Sequence, residues 1–218
     1  MRRYLVSVSA MVLGCVLLAS ACTSSSSTSE STGLSGGVSG ARDATAAVTI
    51  PEGWVVFESD RISLALPATF EGGVPTDEDV SAILDAMAEI DPSIANWGEA
   101  LAGVDVELLM FGEPDVNGWT PVVAVQREVM PSGMSMQRYV DSYQQAFPES
   151  DFEIVSITDD EARIVETYPD WEGFTTAYWM QVRKGSHMYS VMYQADRENF
   201  TALESVFMTS SETIVVKE

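Results

Sequence analysis

The sequence predicts an α+β domain: a mostly antiparallel sheet with helices packed on both of its faces. Three observations lead there. Short runs of alternating apolar residues, such as Ile62-Ser63-Leu64-Ala65-Leu66-Pro67, recur through the chain and are closed by turn signals. Other stretches place apolar residues at helical spacing, as in Met136, Tyr139, Val140, Tyr143 and Phe147. The hairpin around residue 180 is apolar on both sides. Phe174, Tyr178, Met180 and Val182 share one face, and Ala177 and Trp179 the other. In its partner, Met188 and Met192 oppose Tyr189, Val191 and Tyr193. A strand that is apolar on both sides must be covered on both sides.

The elements follow in order. Gly53 to Ser59 reads as a strand, Asp60-Arg61 as a turn, and Ile62 to Pro67 as its hairpin partner. Thr76 is a good N-cap for a helix reaching Ile90, and Asp77, Glu78 and Asp79 load its first turn, where the helix dipole favours acids. Its apolar face is Val80, Ile83, Leu84, Met87 and Ile90. Asp91-Pro92 opens a second short helix carrying Ile94, Trp97 and Leu101. Val104 to Phe111 and Trp119 to Val129 are strands joined through the Asp115-Val116-Asn117-Gly118 turn. A helix from Ser135 to Phe147 comes next. Strands at Phe152 to Ile157, Ala162 to Tyr168, Phe174 to Arg183 and His187 to Gln194 follow it. A terminal helix from Glu198 to Met208 gathers Phe200, Leu203, Val206 and Phe207 on one side, and Thr213 to Val216 closes the chain as a strand or a packed tail.

Ahead of this domain lies a targeting segment. Arg2 and Arg3 precede an apolar run from Tyr4 to Leu18. That run is shorter than the roughly 20 residues a membrane-crossing helix needs, and it has the build of a cleaved export signal. Ala19-Ser20-Ala21 would suit a plain secretory cleavage site, but Cys22 follows directly, and the segment resembles a bacterial lipobox with Ala19 where Leu is usual. Cys15 is a rival lipid acceptor that would leave a very short apolar run, so Cys22 is preferred. The residues flanking Arg2-Arg3 match a twin-arginine signal poorly, which favours the general secretory route. Residues 1–21 are thus read as a lipoprotein signal and residues 22–47, rich in Ser, Thr and Gly, as a flexible tether. Residues 48–218 form a single globular domain. The expected location is the outer face of the cell membrane, held by lipid.

The chain has 11 basic and 33 acidic residues. Removing the signal takes away Arg2 and Arg3 and no acid, which leaves nine basic residues against 33 acidic ones, a net charge of −24. Such a chain repels phosphates and anionic headgroups, so no nucleic-acid role is expected and the membrane contact must come from the lipid. Two acyl chains suffice for a stable anchor.

The sequence offers little catalytic equipment. Both cysteines lie in the signal region, and His187 is the single histidine. A Cys/His zinc site and a Cys nucleophile in the domain are therefore excluded. No nucleophile elbow, phosphate loop or dinucleotide fingerprint is present. His187 sits beside the Lys184-Gly185-Ser186 turn, where an exposed imidazole is the ordinary outcome. Asp159, Asp160 and Glu161 match no calcium-loop spacing and are read as solvated turn acids. No pair of carboxylates stands out for glycoside hydrolysis. Met130, Met134 and Met136 cluster around Pro131 and Gly133 beside Tyr139. Core filling competes with an adaptable contact surface there, and these four residues are the candidate interface if they prove exposed.

The opening Trp54…Ser59-Asp60-Arg61-Ile62-Ser63-Leu64-Ala65-Leu66-Pro67 resembles the start of the PsbP-like superfamily, which includes the actinobacterial LpqN-type lipoproteins. The closing Tyr178…Val182-Arg183-Lys184-Gly185…Met188-Tyr189-Ser190-Val191…Phe200…Phe207…Ser211-Glu212-Thr213-Ile214 is similar to the final hairpin and helix of that group. The resemblance implies an α/β/α sandwich around an antiparallel sheet. It implies non-catalytic adaptor, assembly or binding proteins, and it supplies no site residues. The expectation is an envelope lipoprotein that is not an enzyme, has no cofactor and no metal, and binds a protein partner. The alternative is a carrier or sensor of an apolar envelope ligand, such as a lipid, in a cavity lined by Trp54, Trp97, Trp179 and the methionines.

Overall fold

The computed structural model describes residues 49–76, 78–79, 105–116, 120–169 and 174–217. The signal, Cys22, the tether, the body of the 76–90 helix, the short helix after Asp91 and the Asn117-Gly118 turn lie outside the described residues.

The described residues form two sheets. The first has three strands in the order β1-β2-β10, where β1 is Trp54–Glu58, β2 is Ile62–Pro67 and β10 is Val215–Val216. The second has seven strands in the order β3-β4-β5-β9-β8-β7-β6, and every neighbouring pair is antiparallel. Its members are β3 (Glu71–Gly73), β4 (Asp105–Phe111), β5 (Val122–Val129), β6 (Asp151–Ile157), β7 (Glu161–Pro169), β8 (Phe174–Lys184) and β9 (His187–Asp196). Helix α1 (Met136–Ala146) connects β5 to β6, and α2 (Arg197–Ser211) follows β9.

The strand reading holds to within a few residues at each end. β3 has no alternating pattern and went unread. It forms because Gly72, at φ +132, carries no side chain; a Cβ there would collide with the Leu109 carbonyl of β4. The helix caps follow local chemistry. The Ser135 hydroxyl accepts from the Arg138 amide, and the Asp196 carboxylate accepts from the amides of Glu198 and Asn199. At Thr76 the cap is reciprocal: its hydroxyl accepts from the Asp79 amide, and Asp79 accepts from the Thr76 amide.

The two faces of the seven-stranded sheet separate as the hairpin pattern requires. Ala177, Trp179, Met188 and Met192 lie under α1 with Met136, Tyr139, Val140, Tyr143 and Phe147. Tyr178, Met180, Tyr189, Val191 and Tyr193 lie on the opposite face with Phe200 and Phe207 of α2 and Ile62, Leu64 and Leu66 of β2. Helices therefore cover both faces, and the three-stranded sheet shares the second. The end of α2 is stitched to β2 by hydroxyls. The Tyr193 phenol donates to Ser210 Oγ at 3.1 Å, Ser210 Oγ donates to the Ala65 carbonyl at 2.7 Å, and Thr213 Oγ1 accepts from the Ala65 amide at 2.8 Å. Burial holds the Tyr193 phenol above its ordinary range, so it stays a donor. These side chains serve the stretch of β2 beyond the two residues that β10 pairs.

Candidate functional site

Among the described glutamates Glu107 and Glu166 are buried, and Glu128 and Glu161 are half-buried. Glu107 is the extra residue of a bulge in β4, between the register pairs Val106–Gln126 and Leu108–Val125. The bulge aims it at the β1–β2 turn, where it accepts from Ser59 Oγ at 2.8 Å and Arg61 Nη1 at 3.0 Å. Arg127 Nε stands 3.5 Å away and Arg127 Nη2 bonds Asp105 at 2.6 Å. This cluster clips the small sheet to the large one.

Glu128 on β5 and Glu166 on β7 lie under α1. Each meets a tyrosine one helical turn from the other: Tyr139 donates to Glu128, and Tyr143 donates to Glu166 at 2.9 Å. Trp179 Nε1 also donates to Glu166, at 2.8 Å. Rings pack around that carboxyl, with Tyr143 lying 5.0 Å from Phe147, 5.7 Å from Phe152 and 5.6 Å from Trp179. Burial pushes both carboxyls above their ordinary range, and the hydrogen bonds offset part of that shift. Strands β9 and β8 separate Glu128 from Glu166, so they sit three strand spacings apart, about 14 Å or more. Glycoside hydrolysis uses carboxyls at roughly 5–9.5 Å.

The methionine surface expected from the sequence is corrected. Met130, Met136 and Tyr139 are 4%, 1% and 4% exposed, and Met134 packs half-buried against the same core. The helix turns Met136 and Tyr139 onto the sheet because they share its apolar face with Val140 and Tyr143. They form core, not an exposed interface. His187 stands opposite Lys184 at the β8–β9 turn and is half-buried. Asp159 and Asp160 are exposed at the β6–β7 turn, where the Asp160 carbonyl accepts from the Arg183 amide. Among the described residues no group of three or more His, Cys, Asp or Glu is arranged to hold a metal ion. Nor is any helix among them long and apolar enough to cross a membrane.

An open cleft of about 640 Å³ lies at the β3–β4 end, lined by Ala68, Thr69, Glu71, Gly72, Phe111 and Glu113 among others. It touches the core under α1 at Phe111 and is lined by two carboxylates, Glu71 and Glu113.

Exposed apolar side chains gather elsewhere. Val55 and Val56 on β1, Val215 on β10 and Ile50 just ahead of β1 are each 40–45% exposed. β1 is an end strand of the small sheet. The sequence reading missed this exposure, although two adjacent valines in a short strand were its signal: neighbours point to opposite faces, and a strand at a sheet end need not have both covered. Ile154 and Val155 are also exposed on β6, the end strand of the large sheet. There Val155 is the extra residue of a bulge, a device that blunts an edge against pairing.

No protein-family model matches the chain, and no curated protein matches it. Among solved structures it is similar to the cyanobacterial PsbP (CyanoP) of Synechocystis, with 9% identity and a TM-score of 0.43 over 83% of this chain and 99% of that one. It is similar to LpqN of Mycobacterium tuberculosis, described as involved in cell envelope biogenesis. That match has 10% identity and a TM-score of 0.44 over 74% of this chain and 86% of that one. A Bacteroides thetaiotaomicron protein matches with 12% identity and a TM-score of 0.40, over 75% of this chain and 48% of that one. Two of these three names are those of the sequence resemblance. Likeness at this level carries no argument about activity, ligand or partner.

Proposed function

We propose that this chain is a lipid-anchored bacterial envelope protein whose domain binds a protein partner and catalyses no reaction. The observation that carries the reading is the exposure of apolar side chains around the small sheet: Val56 and Val215 on the face of Ser63 and Ala65, Val55 on the other face of β1, and Ile50 ahead of it. It lies where the chain enters the domain from the tether, on the membrane-proximal side of the sequence. Apolar side chains gathered on one small sheet favour contact with another protein over solvent. The anchor rests on the export signal and Cys22. The carboxyls of Glu107, Glu128 and Glu166 support the non-catalytic reading, since each is engaged by side chains that tie elements together. The rival reading, an apolar ligand between sheet and helix, gains nothing from the cleft, which is open and is lined by two carboxylates.

A photo-crosslinking residue at Val56, in the full lipidated protein in intact cells, tests the contact. One discrete adduct at Val56, lost when Val55 and Val215 are changed to Arg and absent from a control probe at Glu52, is expected. Equal labelling at Val56 and Glu52 overturns the contact. Cys22→Ala should move the protein from the membrane fraction to the soluble fraction; continued membrane residence overturns the anchor.

A further inference from the structure

The sheet face beneath α1 is more polar than a core face needs to be. Gln126 on β5, Ser190 on β9 and Gln181 on β8 stand side by side in register, so they form one row across three central strands. All three are buried, at 4%, 4% and 1% exposure. By strand alternation they share the face of Ala124, Met192 and Trp179, which is the face that α1 covers. Gln181 Oε1 and Ser190 Oγ have no hydrogen-bond partner among the described residues. Glu128 and Glu166 lie on the same face, one at each side of this row. An unsatisfied buried polar group costs about 1–3 kcal/mol, and water would satisfy it. The floor under α1 therefore gains solvation when the helix lifts, which an apolar floor would not.

The attachment of α1 is itself titratable. Its polar contacts with the sheet run through Tyr139 to Glu128 and Tyr143 to Glu166. The groups facing Glu166 are Tyr143 from α1, Trp179 from β8, and Ser150 and the like-charged Glu149 from the loop between α1 and β6. Tyr139 faces Glu128. In register, Glu128 stands opposite Met188, with Arg183 one strand further across, and Arg183 Nη1 donates to the Met134 carbonyl at 3.3 Å. On α1 itself Arg138 is exposed and Asp141 half-buried.

We infer that α1 is a pH-released cover: with Glu128 and Glu166 neutral it stays seated on the sheet, and their ionisation favours lifting it from the polar floor beneath, because a carboxylate buried there gives up more hydration than the bonds from Tyr139 and Tyr143 return. The direction follows from burial. Both carboxyls sit above the ordinary value of 4.5 in the folded state. Their contribution to holding the closed state is full below that value and is lost as pH rises through the elevated folded values. Opening returns each carboxylate to water, so ionisation and release reinforce one another. α2 is attached differently: its polar contacts with the sheet are hydroxyl bonds and the Arg163–Glu212 ion pair at its end, at 2.6 Å.

Hydrogen exchange of the full domain, read peptide by peptide at pH 5 and pH 8 and corrected for intrinsic rate, tests this. Protection over residues 136–146 is expected to fall by about tenfold or more between the two, while protection over 197–211 holds. Glu128→Gln with Glu166→Gln is expected to keep α1 protected at both pH values. A wild-type α1 whose protection does not change with pH overturns the inference, and so does parallel loss over α1 and α2. Should the double variant fail to fold, Tyr143→Phe gives the second reading. It should lower protection over α1 at pH 5 and lower it further at pH 8, and an equal change at both overturns the inference.

Discussion

Under α2, the seven-stranded sheet meets Ile62, Leu64, Leu66, Phe200 and Phe207, and the Tyr193 phenol ends on the Ser210 hydroxyl, which passes the hydrogen bond on to the β2 backbone. Under α1, the same sheet presents Gln126, Gln181, Ser190, Glu128 and Glu166 among its apolar residues. The first face buries mainly apolar area and hydroxyl groups, and its charged groups Glu107 and Arg163 stand in ion pairs with Arg61 and Glu212. The second buries carboxyls and polar atoms that remain better solvated in water. The difference teaches that two equally covered faces of one sheet need not be equally committed to staying covered.

Five changes would break or sharpen this contrast. The largest effect is expected from Phe207→Ala. That ring is fully buried against Tyr193 at 5.4 Å and Phe200 at 5.8 Å, so its loss should cost about 3–5 kcal/mol in denaturant unfolding. A cost below about 1 kcal/mol would mean that the α2 face does not anchor the domain.

Tyr143→Phe should cost about 1–3 kcal/mol, because Glu166 loses a donor while it stays buried. The cost should grow with pH. The lost bond favours the ionised form, so the folded value of Glu166 rises further and stability falls further as pH climbs through it. Unfolding midpoints at pH 5 and pH 8 check both size and sign.

Asp196→Ala should cost about 1 kcal/mol, since the amides of Glu198 and Asn199 lose their acceptor at the start of α2. Ser135→Ala at the start of α1 removes a single weaker cap bond of 3.3 Å and should cost less. Thermal melts of the pair rank them.

Gln181→Leu is expected to cost under about 0.5 kcal/mol or to stabilise, because it replaces a buried oxygen that has no partner with an apolar group of similar shape. A loss above about 1 kcal/mol in the same melts would show that this oxygen is satisfied in solution and that the floor beneath α1 is settled.

Much of the fold was legible because local pattern and final burial agree. The alternation through Ala177, Tyr178, Trp179 and Met180 assigned each residue to the face where it lies, and the apolar positions of α1 are those that the structure buries. β3 was not legible, since a three-residue Glu-Gly-Gly strand has no period and exists only because a neighbouring strand accepts it closely. The methionine surface was misread for a related reason. A flexible thioether suits core and interface alike, and residue type cannot tell them apart. The carboxyl sites were invisible in an acidic chain, where Glu128 and Glu166 look like any other glutamate until the tyrosines of α1 and the indole of Trp179 meet them.

The sequence alone determined the alternation of strands and helices, the sidedness of the central hairpin, the helix caps and the poverty of reactive side chains. Each of these depends on residues close together in the chain, where backbone geometry ties spacing to direction. Only the tertiary structure decided which acids are buried, which valines stay in solvent and which polar atoms lie beneath a helix. Those outcomes depend on which surfaces distant segments bring together, and a residue type carries no record of its future neighbours.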